Sequence, residues 1–181
     1  MGLLTGRLVV ATHELTDRNF ARAVVLVLAH DDDDGAAGVV LNRPTPAEFP
    51  DRLRAWAPLA AAPAVMFRGG PVSRDSVIGL AEIVAGAQPR SWQQVTGTVG
   101  VVDLSVDADA LPTQLRWVRL FSGYAGWGGG QLEGEIASGA WFVVDADPAD
   151  ACTAEPQGLW RAVLARQGGL FTTVPDDPAL N

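Results

Sequence analysis

An uninterrupted apolar run at residues 23–29, Ala-Val-Val-Leu-Val-Leu-Ala, limits the folds open to this chain more than any other feature. A strand of this sequence is apolar on both alternating faces, so it must be covered on both sides. A polar, aspartate-rich segment at residues 31–35 follows, and a second apolar run lies at residues 38–41. Two such runs joined by a short polar turn predict an antiparallel hairpin. We expect this hairpin to form the centre of a sheet.

Further strands and three helices are predicted along the rest of the chain. The predicted strands are residues 8–11, 65–68, 76–84, 97–104, 116–121 and 140–145. The predicted helices lie between Pro46 and Pro63, at residues 131–138 with Gly139 as the C-terminal cap, and at residues 158–167. A glycine-dense loop is predicted at residues 122–130, and Arg116 and Arg119 before it are expected to reach solvent.

These elements predict an α/β domain of the α+β type, in which helices layer a mixed, largely antiparallel central sheet. No internal repeat or linker interrupts the pattern. The prediction is therefore one domain over residues 1–171, followed by a flexible, Pro- and Asp-rich C-terminal tail at residues 172–181.

The charge pattern and the cysteine count exclude several classes of protein. The formal net charge is −8, and all 13 basic residues are arginines scattered singly along the sequence, so no nucleic-acid-binding surface is predicted. The single cysteine, Cys152, cannot form an intramolecular disulfide. The longest apolar run is too short for a membrane helix, and the first residues lack the pattern of a secretory signal. We expect a soluble cytoplasmic protein that does not bind membranes.

Metal ligands are scarce in the sequence. Zinc or iron would need a cluster of imidazole or thiolate ligands, and only His13, His30 and Cys152 can supply them. The acidic run at residues 31–34 does not match a calcium loop of the EF-hand type, because aligning Gly35 with its sixth position puts Leu41 at the twelfth. A solvated hairpin turn explains this run better. The prediction is no metal and no cofactor.

His30 is the candidate catalytic residue. It ends the apolar strand and precedes four aspartates, whose carboxylates would favour the protonated imidazole and prepare it for acid–base chemistry. The alternative is a structural histidine that bonds the backbone at a strand end. Serine catalysis lacks the Gly-x-Ser-x-Gly elbow, and Cys152 follows an acidic stretch that disfavours a thiolate.

Two further patterns suggest ligand binding. The glycine-rich loop leads into the helix at Gln131, so its free N–H groups are candidates to hold an anion or carboxylate. Its candidate binding residues are Tyr124, Trp127, Gln131 and Glu133. Glu133 could itself occupy that position, and a structural turn packed by Tyr124 and Trp127 is the alternative explanation.

The second pattern consists of two turns, Asn42-Arg43-Pro44 and Arg68-Gly69-Gly70-Pro71. Each turn lies at the C-terminal end of a predicted strand. If those strands are neighbours, both turns border one cleft, and Arg43 and Arg68 become anion receptors. Asn42, Arg43, Gly69 and Gly70 are therefore candidate ligand-binding residues. The alternative is structural: Asn42 bonds its own backbone, and the glycines form tight turns.

Four segments together resemble the uncharacterised bacterial YqgE/AlgH family, and the similarity spans nearly the whole chain. They are LVVATHELTDRNFARAVVLVLAH, GVVLNRP, RGGPV and VRLFSGYAGWGGGQLEGEIASGAWFVV. The resemblance implies an α/β assembly around a mixed sheet and no agreed biochemical activity, and a regulatory role in transcription is attached to one branch of the family. His13 and Arg18 stand where other members frequently have proline, which puts in doubt any role for that loop.

Three hypotheses for the function follow. The first is a non-catalytic module that binds a small ligand or a protein partner through the glycine loop and the two turns. The second is a hydrolase or transferase in which His30 acts with Glu133 or Glu135. The third is a transcriptional regulator, which rests on the family resemblance alone and is opposed by the acidic charge.

Overall fold

The central hairpin is formed as the sequence predicts. The structure, a computed structural model, describes residues 3–169. Strands β2 (Val24–Asp31) and β3 (Gly35–Val40) pair antiparallel, with Leu26 opposite Val39. Val24 and Leu26 belong to one apolar cluster, whereas Val25 and Val27 belong to another. Since neighbouring side chains of a strand point to opposite faces, both faces of β2 are covered.

The hairpin lies inside a single curled sheet. The other strands are β1 (Arg7–Ala11), β4 (Phe67–Arg68), β5 (Val72–Ile83), β6 (Trp92–Thr96), β7 (Val99–Val102), β8 (Leu115–Trp127) and β9 (Trp141–Asp145). Their order is β6-β7-β5-β8-β3-β2-β1-β9, and β4 pairs with β8. Only the β4–β8 pair is parallel among the strands of residues 3–169, so the predicted mixed, largely antiparallel sheet is confirmed.

The curl gives the sheet the shape of a half-barrel. It brings β6, at one end of the sheet, against the residue that precedes β1 near the other end. A Cβ atom placed on Gly6 would lie only 2.7 Å from the carbonyl oxygen of Val95. The glycine therefore allows the two backbones to approach. Its φ of 80° lies in the left-handed region, which glycine adopts without the steric cost that other residues have there.

Short helices cover the two faces of the sheet. They are α1 (Gln131–Ala137), α2 (Pro148–Cys152) and α3 (Leu159–Gln167). Leu132 of α1 packs on one face, and Val163 of α3 packs on the other. Both α1 and α3 were predicted, and Gly139 has the expected left-handed backbone. The predicted helix between Pro46 and Pro63 is instead a 3₁₀ helix over Asp51–Leu59. Pro58 inside it lacks the N–H that an α-helix requires there.

The prediction of a glycine loop at residues 122–130 is wrong. Strand β8 continues to Trp127 and leaves only residues 128–130 as the connection to α1. The extension is held on one side by β3, with Ala37 opposite Gly126, and on the other by Val72 opposite Tyr124. Glycine within a strand here marks places where neighbouring backbone comes close.

The prediction that Arg119 reaches solvent is also wrong, although Arg116 is exposed as expected. Arg119 is 1% exposed, and its guanidinium lies 4.3 Å from the centre of the Phe67 ring. It donates hydrogen bonds to the carbonyl oxygens of Ala62, Ala151 and Thr153. The side chain thus fastens β8 to α2 and to the segment that precedes β4.

Strand β6 was not predicted. Its sequence, Trp-Gln-Gln-Val-Thr, has two adjacent glutamines and only two large apolar residues, so no apolar alternation marks it.

The predicted tail at residues 172–181 lies outside the described residues. None of the helices within residues 3–169 is long and apolar enough to cross a bilayer.

Candidate functional site

A groove of about 470 Å³ lies at the open end of the β2–β3 hairpin. It is built from the residues before β2, the turn after β3 and the start of α3, which are far apart in sequence. The lining residues are Ala21, Arg22, Asn42, Arg43, Pro44, Gln157, Gly158, Trp160 and Arg161. Three of them are arginines, and none of these described residues carries a carboxylate. We call this the basic groove.

Asn42 forms the buried wall of the basic groove. Its side-chain Oδ1 accepts a hydrogen bond from the N–H of Val24 at 3.0 Å, and its Nδ2 donates to the carbonyl oxygen of Arg22 at 2.8 Å. Asn42 therefore bonds the opposite strand and not its own backbone, contrary to the structural alternative considered for it. Both ends of its amide are engaged in these bonds, which fix the Asn42 side chain in the wall of the groove.

Arg43 is held in the groove by oxygen atoms that carry no formal charge. Its Nη2 donates to the carbonyl oxygen of Ala21, and its Nη1 contacts the carbonyl oxygen of Asn42 at 3.5 Å. Burial lowers the pKa of Arg43, and the positive charge of Arg68 lowers it further. Both effects disfavour the cation, so a bound anion would relieve them.

Arg22 extends the positive wall. Its guanidinium lies over the Trp160 ring, 5.7 Å from the ring centre. Its backbone has a φ of 56°, a left-handed conformation that costs a residue other than glycine about 1–2 kcal/mol. Strained residues of this kind are found at functional sites more often than elsewhere.

Gly69 and Gly70 have a structural role. Strands β4 and β5 pair with opposite edges of β8, so the segment between them crosses over that strand. A Cβ atom on Gly69 would lie 2.2 Å from the Gly123 carbonyl oxygen, and one on Gly70 would lie 2.1 Å from the Tyr124 carbonyl carbon. The crossing leaves no room for a side chain, which explains both glycines without a ligand.

A second groove, of about 570 Å³, lies at the turn end of the same hairpin. Its lining residues are Ala29, His30, Asp31, Asp34, Gly35, Ala36, Ala37, Val72, Tyr124, Gly126 and Trp127. Asp31 accepts hydrogen bonds from the N–H groups of Asp33 and Asp34, which confirms the predicted polar hairpin turn. Those bonds also lower the pKa of Asp31. We call this the acidic groove.

Trp127 closes the acidic groove from below as part of an aromatic cluster. Its ring stacks on Phe20 and meets Trp141 edge-on, with ring centres 6.3 and 5.9 Å away. The indole N–H groups of Trp127 and Trp141 both donate to Oε2 of Glu135, at 3.0 and 2.8 Å. Glu135 is thereby a structural acceptor for two indoles, which makes it a poor assistant for His30.

Gln131 occupies the place proposed for an anion at the glycine loop. Its side-chain Oε1 accepts a hydrogen bond from the Gly128 N–H at 3.0 Å, and its Nε2 donates to Glu135. Gly129 is packed against the hairpin turn, since a Cβ atom there would lie 2.2 Å from the Asp33 carbonyl oxygen. The loop therefore serves to fasten the start of α1 to β8 and the hairpin.

His30 and Glu133 form the pair that the enzyme hypothesis requires. The His30 Nε2 bonds Oε1 of Glu133, and this bond lowers the pKa of Glu133. The Nδ1 atom is buried and has no partner within residues 3–169, so the proton is better placed on Nε2, where it is donated to Glu133. A substrate proton could reach an imidazole nitrogen only by displacing Glu133, an arrangement that does not suit a general base.

The same geometry bears on metal binding. His30, Asp32 and Glu133 each place a potential ligand atom within 4.8 Å of the others. A histidine that binds a metal through Nε2 carries its proton on Nδ1 and normally donates it to an acceptor. The Nδ1 atom of His30 has no such acceptor among the described residues. The chemistry of this cluster therefore favours an ion pair or hydrogen bond over a metal centre.

Cys152 is not prepared for nucleophilic chemistry. Burial raises the pKa of its thiol, which opposes a reactive thiolate.

Comparison with known proteins places the chain in a family. The DUF179 family model, described as AlgH-like, matches residues 8–172. A UPF0301 protein of Streptomyces avermitilis is 52% identical, covering 98% of this chain and 95% of the relative. A UPF0301 protein of Thermobifida fusca is 43% identical, covering 98% of this chain and 96% of the relative. The chain belongs to the AlgH-like family. The family predicted from the four sequence segments is thus confirmed.

Solved structures show the same AlgH-like fold. The crystal structure of DIP2367 from Corynebacterium diphtheriae matches with a TM-score of 0.88 and 27% identity, over 96% of this chain and 93% of that one. The solution structure of AlgH from Pseudomonas aeruginosa matches with a TM-score of 0.70 and 29% identity, over 98% of each chain. These similarities support the fold and name no activity, so the function must be argued from the grooves.

The AlgH-like fold separates the predicted site residues into two groups. Asn42 and Arg43 line the basic groove, whereas His30, Tyr124 and Trp127 line the acidic groove. The remaining predicted residues, Gly69, Gly70, Gln131 and Glu133, line neither groove. Sequence reasoning missed Arg22, Trp160 and Arg161. No local motif marks them, because three distant segments meet at the basic groove only after the sheet has formed.

Proposed function

We propose that this AlgH-like chain binds a small anionic molecule in the basic groove. One observation carries the proposal: three arginines and no carboxylate line a groove of about 470 Å³ in a chain whose net charge is −8. A groove of this volume falls within the usual range of small-molecule sites. Arginines are effective receptors for carboxylate and phosphate groups because their planar donors bind two oxygens at once.

The surroundings of Arg43 favour an anion. Its hydrogen-bond acceptors are carbonyl oxygens, which orient the guanidinium without neutralising it. Burial and the charge of Arg68 disfavour the cation, so an anion that compensates both gains more than it would at an exposed arginine. Trp160 and Pro44 add apolar surface next to the charges. The preferred ligand is therefore an organic anion and not a bare inorganic ion.

The test is a titration with inorganic phosphate, pyrophosphate and phenyl phosphate, followed by backbone NMR shifts and calorimetry. Phenyl phosphate is expected to bind more tightly than inorganic phosphate, with shifts at Arg22, Asn42 and Gly158. Arg43→Gln should weaken binding about 10-fold or more, as expected for a charge-assisted hydrogen bond of about 1.5–3 kcal/mol.

Arg22→Gln provides a second variant, because this exposed side chain can be changed with little effect on folding. Arg116→Gln is the matched control, since Arg116 is exposed on β8 and does not line the groove. Its affinity should stay within about 2-fold of the wild type, the range expected for a distant surface charge. Equal losses in Arg43→Gln and Arg116→Gln, or no localised shift with any of the three anions, would refute the proposal.

A further inference from the structure

The acidic groove differs in chemistry from the basic groove and needs its own explanation. Its rim carries Asp31 and Asp34, and none of its described lining residues is an arginine. Asp32 and Glu133 lie beside it, with potential ligand atoms within 4.8 Å of the His30 ring nitrogen. The one imidazole in its lining, that of His30, is bonded to Glu133. A groove whose rim carries carboxylates and no arginine attracts cations.

The floor of the acidic groove is apolar. Val72 is one of two large apolar side chains within residues 3–169 that are more than a third exposed, and Tyr124 beside it is half-buried. A Cβ atom on Gly126 would lie 3.3 Å from Cε2 of Tyr124 and 3.6 Å from Cγ2 of Val72. The glycine thus keeps open the space between these side chains. An apolar floor below a charged rim fits a ligand that has both kinds of surface.

A metal ion would use only the rim. The imidazole of His30 is also poorly prepared for a metal, because its Nδ1 proton would lack an acceptor among the described residues. An ammonium group on an apolar stem uses both parts of the groove: the charge meets the aspartates, and the stem covers Val72 and Tyr124. Contacts of a cation with an aromatic ring add to such binding.

We infer that the acidic groove is a second binding site, whose ligand is a small organic amine with an apolar stem. The inference is independent of the anion site, since the two grooves share no lining residue. It adds to the proposed function a second ligand class of opposite charge.

The test uses phenethylamine, which is a cation at neutral pH, and 2-phenylethanol, which has the same stem without the charge. Both are titrated into the ¹⁵N-labelled chain of residues 1–181 at 0.15 M salt. Phenethylamine should shift the amides of Gly35 and Gly126 and the indole N–H of Trp127, with a dissociation constant in the millimolar range. 2-Phenylethanol should bind several-fold more weakly.

Two aspartates of the same turn give a matched pair of variants. Asp34→Asn removes a rim carboxylate and should weaken phenethylamine binding about 2- to 5-fold, whereas Asp33→Asn removes the same charge from a residue that does not line the groove. Asp33→Asn should leave the affinity almost unchanged. Val72→Ser should weaken both ligands, because it removes apolar floor.

Three results would overturn the inference. They are equal binding of the amine and the alcohol, equal losses in Asp34→Asn and Asp33→Asn, and amine-induced shifts spread over the acidic surface without saturation. The first would remove the role of charge. The other two would show general attraction to an acidic protein instead of a site.

Discussion

Arg119→Met is the substitution that tests the packing of this fold most directly. Arg119 is 1% exposed, and its partners are the backbone carbonyl oxygens of Ala62, Ala151 and Thr153. Methionine resembles the arginine stem in length and can keep its contact with Phe67, but it donates no hydrogen bond. The backbone carbonyls cannot be removed with the side chain, so the substitution leaves them buried without this donor.

The magnitude follows from two opposing effects. Burial lowers the pKa of Arg119 to about 10 from 12.5, so keeping the charge inside costs about 3 kcal/mol. Each hydrogen bond from a charged donor contributes about 1.5–3 kcal/mol, and three of them exceed that cost. We expect Arg119→Met to lower the free energy of unfolding by about 2–6 kcal/mol. For a chain of this size, the loss corresponds to a fall in Tm of about 4–24 °C.

The assay is urea unfolding followed by tryptophan fluorescence and circular dichroism. Arg116→Met is the control, because Arg116 lies exposed on the same strand and should change stability by less than about 0.5 kcal/mol. Arg119→Lys should fall between Arg119→Met and the wild type, since one ammonium cannot reproduce the planar arrangement of donors. A stability of Arg119→Met equal to or above that of the wild type would refute the reasoning, because the cost of burial would then outweigh the hydrogen bonds.

Three other predictions concern single contacts. Gly70→Ala should destabilise the fold by about 1–3 kcal/mol, because the added Cβ would lie 2.1 Å from backbone, whereas Gly134→Ala, whose Cβ would meet nothing within 4 Å, should stabilise it by about 0.5–1 kcal/mol. Thermal unfolding that ranks the two variants the other way would contradict the crossing over β8. Glu135→Gln should cost about 1–3 kcal/mol and change the near-UV circular dichroism, since both Trp127 and Trp141 donate to Oε2; an unchanged spectrum contradicts this. The bond from His30 lowers the pKa of Glu133 below 4.5, so its stabilisation is complete above that pH and is lost as the pH falls through the lowered pKa. Glu133→Gln should therefore reduce the acid sensitivity of unfolding between about pH 5 and 3, and an unaltered pH profile would argue against the pair.

The parts of the fold that were predicted correctly have strong local signals. Residues 23–29 are apolar at every position, which fixes β2 as a strand buried on both faces. The sequence of α1 combines Leu132 and Ile136, four residues apart, with a glycine cap, and a helix lies at that place in the structure. Such signals need no knowledge of distant neighbours.

The errors in the fold arise where distant neighbours decide the structure. The segment 122–127 has three glycines or alanines among six residues, a composition typical of a loop, yet β3 and Val72 hold it as a strand. Arg119 alternates with apolar residues as a solvent-facing residue would, but the carbonyls that surround it come from two other segments of the chain. Neither fact is encoded within a short window of sequence.

The candidate site shows the same division. Arg43 was identified as a candidate binding residue because it follows Asn42 in the turn directly after a predicted strand, which is a local pattern. The arginines at 22, 43 and 161 are scattered singly in the sequence, a pattern that predicted no nucleic-acid-binding surface, but all three line one groove. Spacing along the chain therefore underestimates how charge is concentrated once a curled sheet brings its loops together.

The hairpin explains how a chain of net charge −8 can keep a positive groove. The basic groove lies at the start of β2 and the acidic groove at its end, and eight residues at about 3.3 Å each span about 26 Å. At physiological ionic strength the Debye length is about 8 Å, so this separation is about three screening lengths. Even without screening, one turn aspartate acts on an arginine at that distance with only about 0.2 kcal/mol in water. The aspartates of the turn therefore cannot neutralise the arginines, and an anion at one end neither requires nor prevents a cation at the other. Because the same strand carries both ends, any larger coupling between the two ligands would have to come from movement of the hairpin and not from its charges.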